Sequence, residues 1–156
     1  VMFLAFRVLS KIHPFFRWSW LGNNAGLIPL EKRYFSFLFI ILLILNLPSI
    51  TCFEEGVFRL GTVGWSDGIV RSVAFGLTHI VLGIPIGVGI AQIVLGLWLT
   101  VCYFVAGPVM GHLFATINHT MFNLIGCFMM LMFLIKTHMK AREESLVKLS
   151  VEKETS

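Results

Sequence analysis

Residues Phe35 to Phe53 read FSFLFIILLILNLPSITCF, 19 residues without a charged side chain. A helix of that length rises about 28 Å, close to the ~30 Å hydrocarbon core of a bilayer, so this run decides for a membrane protein. The same character holds outward from it. Between Tyr34 and Ile135 the only charged side chains are Glu54, Glu55, Arg59, Asp67 and Arg71, and from Ser72 to Ile135 there are none. The 156-residue chain is 57% hydrophobic and 13% charged, which leaves too little polar surface to cover a soluble domain. The expected fold is all-α: a polytopic helical membrane protein with four or five membrane helices around a polar intramembrane cavity.

The breaks between helices are set by proline and glycine. Pro48 biases Leu47 away from helix, so the first span is expected to kink or end there, leaving Ser49 to Trp65 as a separate short helix. Ser66, Asp67 and Gly68 read as a turn. Arg71 to Gly107 is too long for one crossing, and Gly83, Pro85, Gly87 and Gly89 divide it into helices of about residues 69 to 84 and 88 to 106. Gly107 and Pro108 make the next break, before a last span from Val109 to Ile135. Small residues such as Gly83, Gly87, Gly96 and Ala106 would let these helices approach closely. The chain thus divides into an N-terminal interfacial segment and loop (1–34), with Trp18 and Trp20, a membrane domain (35–135) and a charged C-terminal tail (136–156) expected to be a frayed helix. It begins with Val1, as a fragment, a processed chain or the product of an alternative start codon would.

Net charge is +4, and its placement says more than its sign. Arg7, Lys11, Arg17, Lys32 and Arg33 precede the first span, while Lys136, Lys140, Arg142, Lys148 and Lys153 follow the last. Both flanks favour the cytoplasmic side, which would require an even number of crossings in a multi-pass protein of the cell membrane. Membrane lipid explains such flanks and nucleic acid is not required as a partner. Cys52, Cys102 and Cys127 lack CxxC spacing and read as small buried hydrophobes.

A charge near the bilayer centre costs roughly 2.5–3.5 kcal/mol on insertion scales, so the cluster Glu54, Glu55 and Arg59 needs partners. Glu55 and Arg59, four apart with the acid N-terminal, suit a same-face ion pair, and Glu54 points about 100° away. His79 lies in a later helix. His112, Thr116, His119 and Asn123 fall on one stripe of the last span, which must face protein or water because lipid offers no hydrogen bonds. Two carboxylates with histidines fit a His/Glu metal site, although HExxH spacing is absent. They also fit a metal-free site in which glutamate acts as general base and His or Asn binds an oxyanion. A b-type haem between His79 and His112 or His119 would leave the Glu54, Glu55 and Arg59 cluster without a role.

In order, Glu54 to Arg59 (EEGVFR) fits EExxxR, Phe75 to His79 (FGLTH) fits FxxxH, and His119 to Asn123 (HTMFN) fits HxxxN. Together, over about residues 50 to 126, these resemble the CPBP family of intramembrane proteases, also called the CAAX protease and bacteriocin-processing or Abi family. The resemblance implies a membrane-embedded hydrolase of glutamate-dependent type. Glu54 would be the base that activates water with help from His79, His119 and Asn123 would stabilise the oxyanion, and Glu55, Arg59 and Phe75 would support the site. It leaves metal dependence open, with a divalent ion such as zinc as the candidate cofactor. Its substrates would be a peptide or a membrane-anchored protein. The sequence departs from the family at Leu60, where a glycine often follows the motif arginine, and His112 matches no motif and reads as an interhelical hydrogen bond. The competing reading is a non-catalytic membrane scaffold or self-immunity protein that retains the motifs.

Overall fold

In the computed structural model the described residues are 11, 13–18 and 33–155. They form a 3₁₀ turn at Pro14–Arg17 and four helices: α1 (Arg33–Phe58), α2 (Trp65–Val81), α3 (Ile86–Val105) and α4 (Gly107–Thr155). Among the described residues three stretches are long and apolar enough to cross a membrane: Phe37–Phe58 in α1, Ile86–Val105, and Val109–Lys140 in α4. At 17 residues, α2 sits at the lower limit for a ~30 Å core. Most of the interfacial segment and loop expected over residues 1–34 lies outside the described residues. Of the described part, Arg33 and Tyr34 belong to α1, and the carbonyl of Trp18 accepts a hydrogen bond from the Ile86 amide at 3.1 Å.

Two expected boundaries are corrected. Helix α1 does not break at Pro48 but runs unbroken through it, carrying Glu54, Glu55 and Phe58 on the same helix as the first span. A proline inside a helix costs about 3 kcal/mol. Ending the helix there would instead strand several backbone groups in an apolar medium, at several kcal/mol each, so continuity wins. The second correction concerns Ser66, Asp67 and Gly68, which form the first turn of α2 rather than a loop before it. A carboxylate suits that position because it meets the positive end of the helix dipole. The Asp67 Oδ2 accepts from the Val63 amide at 3.2 Å, and its Oδ1 accepts from Arg71 Nε at 2.9 Å.

The other breaks fall where glycine and proline place them. Gly83 ends α2 at φ +94° and Gly107 separates α3 from α4 at φ +77°, conformations that favour a residue without Cβ. Pro85 then precedes α3, and Pro108 occupies the first turn of α4, where its missing N–H costs nothing. Beyond Ile135 the helix continues without a break to Thr155, so the charged tail and the last span share one helix.

Packing divides the bundle into tight and loose seams. Antiparallel to α1, α4 buries Ile40 and Leu47 against Cys127 and Leu134, and the hydroxyls of Thr51 and Thr120 hydrogen-bond across the same seam. The α2/α3 seam depends on glycine. A methyl group added at Gly76 would lie 2.5 Å from the Gly89 carbonyl oxygen and 2.9 Å from the Ile93 nitrogen, so the backbones meet there without room for a side chain. Gly96, expected to allow close approach, does so against Ser72, while Gly68, Gly76, Gly89 and Gly111 were not anticipated in that role. Contact between α1 and α2 is sparser than along these seams. Large apolar side chains such as Leu45, Phe53, Val81, Trp98 and Phe128 are exposed on the exterior, as a lipid-facing surface requires. Cys102 and Cys127 are buried as expected, but Cys52 is exposed, since it faces away from the α1/α4 seam that Thr51 occupies.

Candidate active site

Near its C-terminal end α1 directs its two adjacent glutamates to different places, as the 100° step between neighbours requires. Glu55 points into the bundle and is fully buried, as is Arg59 one turn on, and the expected ion pair forms with Arg59 Nε 3.4 Å from Glu55 Oε2. The guanidinium lies over the face of Phe75 at 4.7 Å. It rests against Gly96 of α3, where an added methyl group would come within 2.9 Å of Arg59 Nη2. Phe75 is itself fully buried and sets its ring edge-on to both His79, at 4.6 Å, and His119, at 5.5 Å.

Glu54 points toward α2 and α4. Its Oε1 lies 3.9 Å from His79 Nε2 and its Oε2 lies 3.6 Å from His119 Nε2. The three helices therefore bring Glu54, Glu55, His79 and His119 together, with Arg59 and Phe75 behind them. Access is graded: Glu54 is 23% exposed and His79 16%, against 1% for His119.

The protons follow from the hydrogen-bond network. His79 Nδ1 is 2.8 Å from the Phe75 carbonyl oxygen, which can only accept, so this nitrogen carries the hydrogen. His119 Nδ1 is 2.8 Å from Glu55 Oε1, and an ionised carboxylate likewise only accepts. Both Nδ1 atoms are committed, and both Nε2 atoms turn to Glu54. A carboxylate and two ring nitrogens at 3.6 and 3.9 Å are too far apart for direct hydrogen bonds, which leaves room for a bridging group between them. The two rings differ in one respect. His119 is backed by a carboxylate, whereas His79 is backed by a neutral carbonyl.

Asn123 lies one turn beyond His119 on α4, half-buried, and among the described residues it makes no hydrogen bond. The structure thus leaves its amide free without joining it to the other four. Thr116 donates to the His112 carbonyl at 2.8 Å, as expected for a back-bonded threonine. His112 stands apart from the cluster, with Nε2 3.2 Å from the Cys52 carbonyl oxygen, an interhelical hydrogen bond between α4 and α1. The Glu54 carboxylate lies between His79 and His119. Among the described residues no group of three or more His, Cys, Asp or Glu side chains is arranged to hold a metal ion.

In place of an enclosed polar cavity, the described residues form an open groove of about 550 Å³ between α1 and α2. Its walls are largely apolar, from Ile50, Phe53 and Val57 of α1 and Leu82 of α2, with Glu54 and His79 set into them. Ser49 and Thr78 also line it, and neither was singled out in the sequence because a lone hydroxyl in an apolar run carries no signal. One end is held by Arg71, whose Nη1 donates to the Val57 carbonyl at 3.3 Å, and by the rings of Phe58 and Phe75, 5.3 Å apart. Comparison of the chain with protein-family models, with curated proteins and with solved structures gives no match.

Proposed function

We propose that this chain is a multi-pass membrane hydrolase that cleaves peptide bonds with a water activated by Glu54, as the resemblance to CPBP intramembrane proteases suggests. One observation carries the reading: both histidines have Nδ1 occupied, so both Nε2 atoms face the carboxylate of Glu54. A water in that space donates one O–H to Glu54 and the other to His79 Nε2. Glu54 takes a proton as the oxygen attacks the substrate carbonyl, then returns it to the leaving amine. General-base assistance of this kind contributes roughly 10²–10⁴-fold.

His119 takes the other role. In this reading its Nε2 carries a hydrogen. That N–H, backed by Glu55, donates to the oxyanion, joined by the free amide of Asn123. One such donor is worth about 2.7–4 kcal/mol in the transition state. Glu55, Arg59 and Phe75 act through His119 and His79 rather than on substrate. Around this centre the protein sits in the cell membrane with lipid on its apolar exterior, and the substrate is a peptide or a membrane-anchored protein.

The experiment is hydrolysis of a library of apolar peptides by the purified protein in phosphatidylcholine vesicles. Glu54→Ala, His79→Ala and His119→Ala are expected to abolish cleavage while remaining folded. Cleavage that survives Glu54→Ala contradicts the assigned base, and a wild type as inactive as all three variants favours the scaffold reading.

A further inference from the structure

A hydroxyl buried in an apolar helix normally satisfies itself by donating to a carbonyl in the preceding turn. Among the described side chains past the first turn of a helix, Thr51, Ser72, Thr100, Thr116, Thr120 and Thr137 all do so. Ser49 and Thr78, which are exposed on the groove surface rather than buried, do not, and among the described residues neither hydroxyl makes any other hydrogen bond. Both line the same groove, from opposite walls, and the groove leads to Glu54 and His79. A free hydroxyl in apolar surroundings is costly unless something else supplies its partner.

The depths of these hydroxyls are informative. Thr78 adjoins His79 in sequence, at the level of Glu54. Ser49 precedes Glu54 by five residues, about 7–8 Å along α1 and toward the middle of the Phe37–Phe58 span. That distance matches about two residues of extended chain. We propose that Ser49 and Thr78 form a backbone-binding subsite for an extended apolar peptide, which runs along the groove from the Glu54 and His79 centre toward the bilayer interior. Thr78 meets the peptide backbone beside the reacting bond and Ser49 meets it about two residues away, while Ile50, Phe53 and Leu82 receive apolar side chains. A lipid acyl chain would fill the same walls and leave both hydroxyls unbonded. The direction of the peptide rests on the hydrolytic reading of Glu54 and His79, but its binding does not.

The test uses Glu54→Gln protein in phosphatidylcholine vesicles, so that binding is read without turnover. The probe is an acetylated, amidated hexapeptide of leucine and valine carrying one photoactivatable diazirine leucine. Cross-links are expected at Ile50, Phe53 or Leu82. The half-saturating peptide concentration should rise about tenfold when Ser49→Ala and Thr78→Val are combined, and stay near the original value in Thr78→Ser, which keeps the hydroxyl. Methylating the peptide's backbone amides should weaken labelling of the unaltered groove by a similar factor and have little further effect on the double variant. Equal labelling with and without the hydroxyls, equal labelling by methylated and unmethylated peptide, or cross-links confined to other surfaces would overturn the subsite. If the groove labels as expected but the wild type cleaves none of the apolar peptides, the subsite stands and the hydrolytic reading fails.

Discussion

Neighbouring glutamates on α1 should respond in opposite ways to the same substitution. Glu55→Gln keeps the shape of the side chain but removes the charge that faces Arg59 Nε at 3.4 Å, with both side chains wholly buried. Coulomb's law at an effective dielectric of about 20 gives roughly 5 kcal/mol for that pair, against which the desolvation of both groups must be set. Breaking a buried pair from one side leaves the other charge uncompensated and costs about 3–5 kcal/mol. Glu54→Gln is different. Its carboxylate is 23% exposed and lies 3.6 and 3.9 Å from its nearest partners, so its loss should change stability by no more than about 0.5 kcal/mol. Hydrolysis, in contrast, should vanish with Glu54→Gln. The assay is unfolding in mixed detergent micelles, followed by helical circular dichroism, beside peptide cleavage for each variant. A Glu54→Gln protein as destabilised as Glu55→Gln, or one that still cleaves, would refute the division of labour.

Three further outcomes follow from the packing. Adding Arg59→Met to Glu55→Gln should recover part of the lost stability, because neither member of the buried ion pair remains; a double-mutant cycle measures the coupling. Gly76→Ala should cost about 1–3 kcal/mol by forcing α2 from α3, whereas Gly126→Ala, whose added methyl meets nothing within 4 Å, should be neutral or slightly stabilising. His112→Ala should lower stability by only about 0.6 kcal/mol, typical of an interhelical hydrogen bond in a membrane, and leave cleavage intact.

Much of the fold was legible because apolar length and helix-breaking residues act locally. The breaks at Gly83 to Pro85 and at Gly107 to Pro108 stand within a few residues of where the sequence puts them. Pro48 misled because local propensity is only one term, and the cost of exposing backbone groups outweighs it. Asp67 misled because a turn-like triplet also makes a good first helical turn. For the site, the spacing of Glu55 and Arg59 sufficed to pair them, and the polar stripe of α4 correctly marked its inward face at His119. What spacing could not supply was the partner of His119 Nδ1, since the Glu55 carboxylate reaches it from another helix through three-dimensional packing, whereas the Phe75 carbonyl that meets His79 Nδ1 lies one turn back in the same helix. Asn123 shows the same limit: it lies on the stripe and is half-buried, but among the described residues its amide makes no hydrogen bond. The free hydroxyls of Ser49 and Thr78 become visible only against the back-bonded ones around them.

The central claim is that Glu54 activates a water held between its carboxylate and His79. The measurement that tests it most directly is single-turnover cleavage of an apolar peptide in oxygen-18 water, comparing wild type with Glu54→Gln. The account predicts one labelled oxygen in the new carboxyl group with the wild type and no product with the variant. Labelled product formed by Glu54→Gln at the wild-type rate would contradict it.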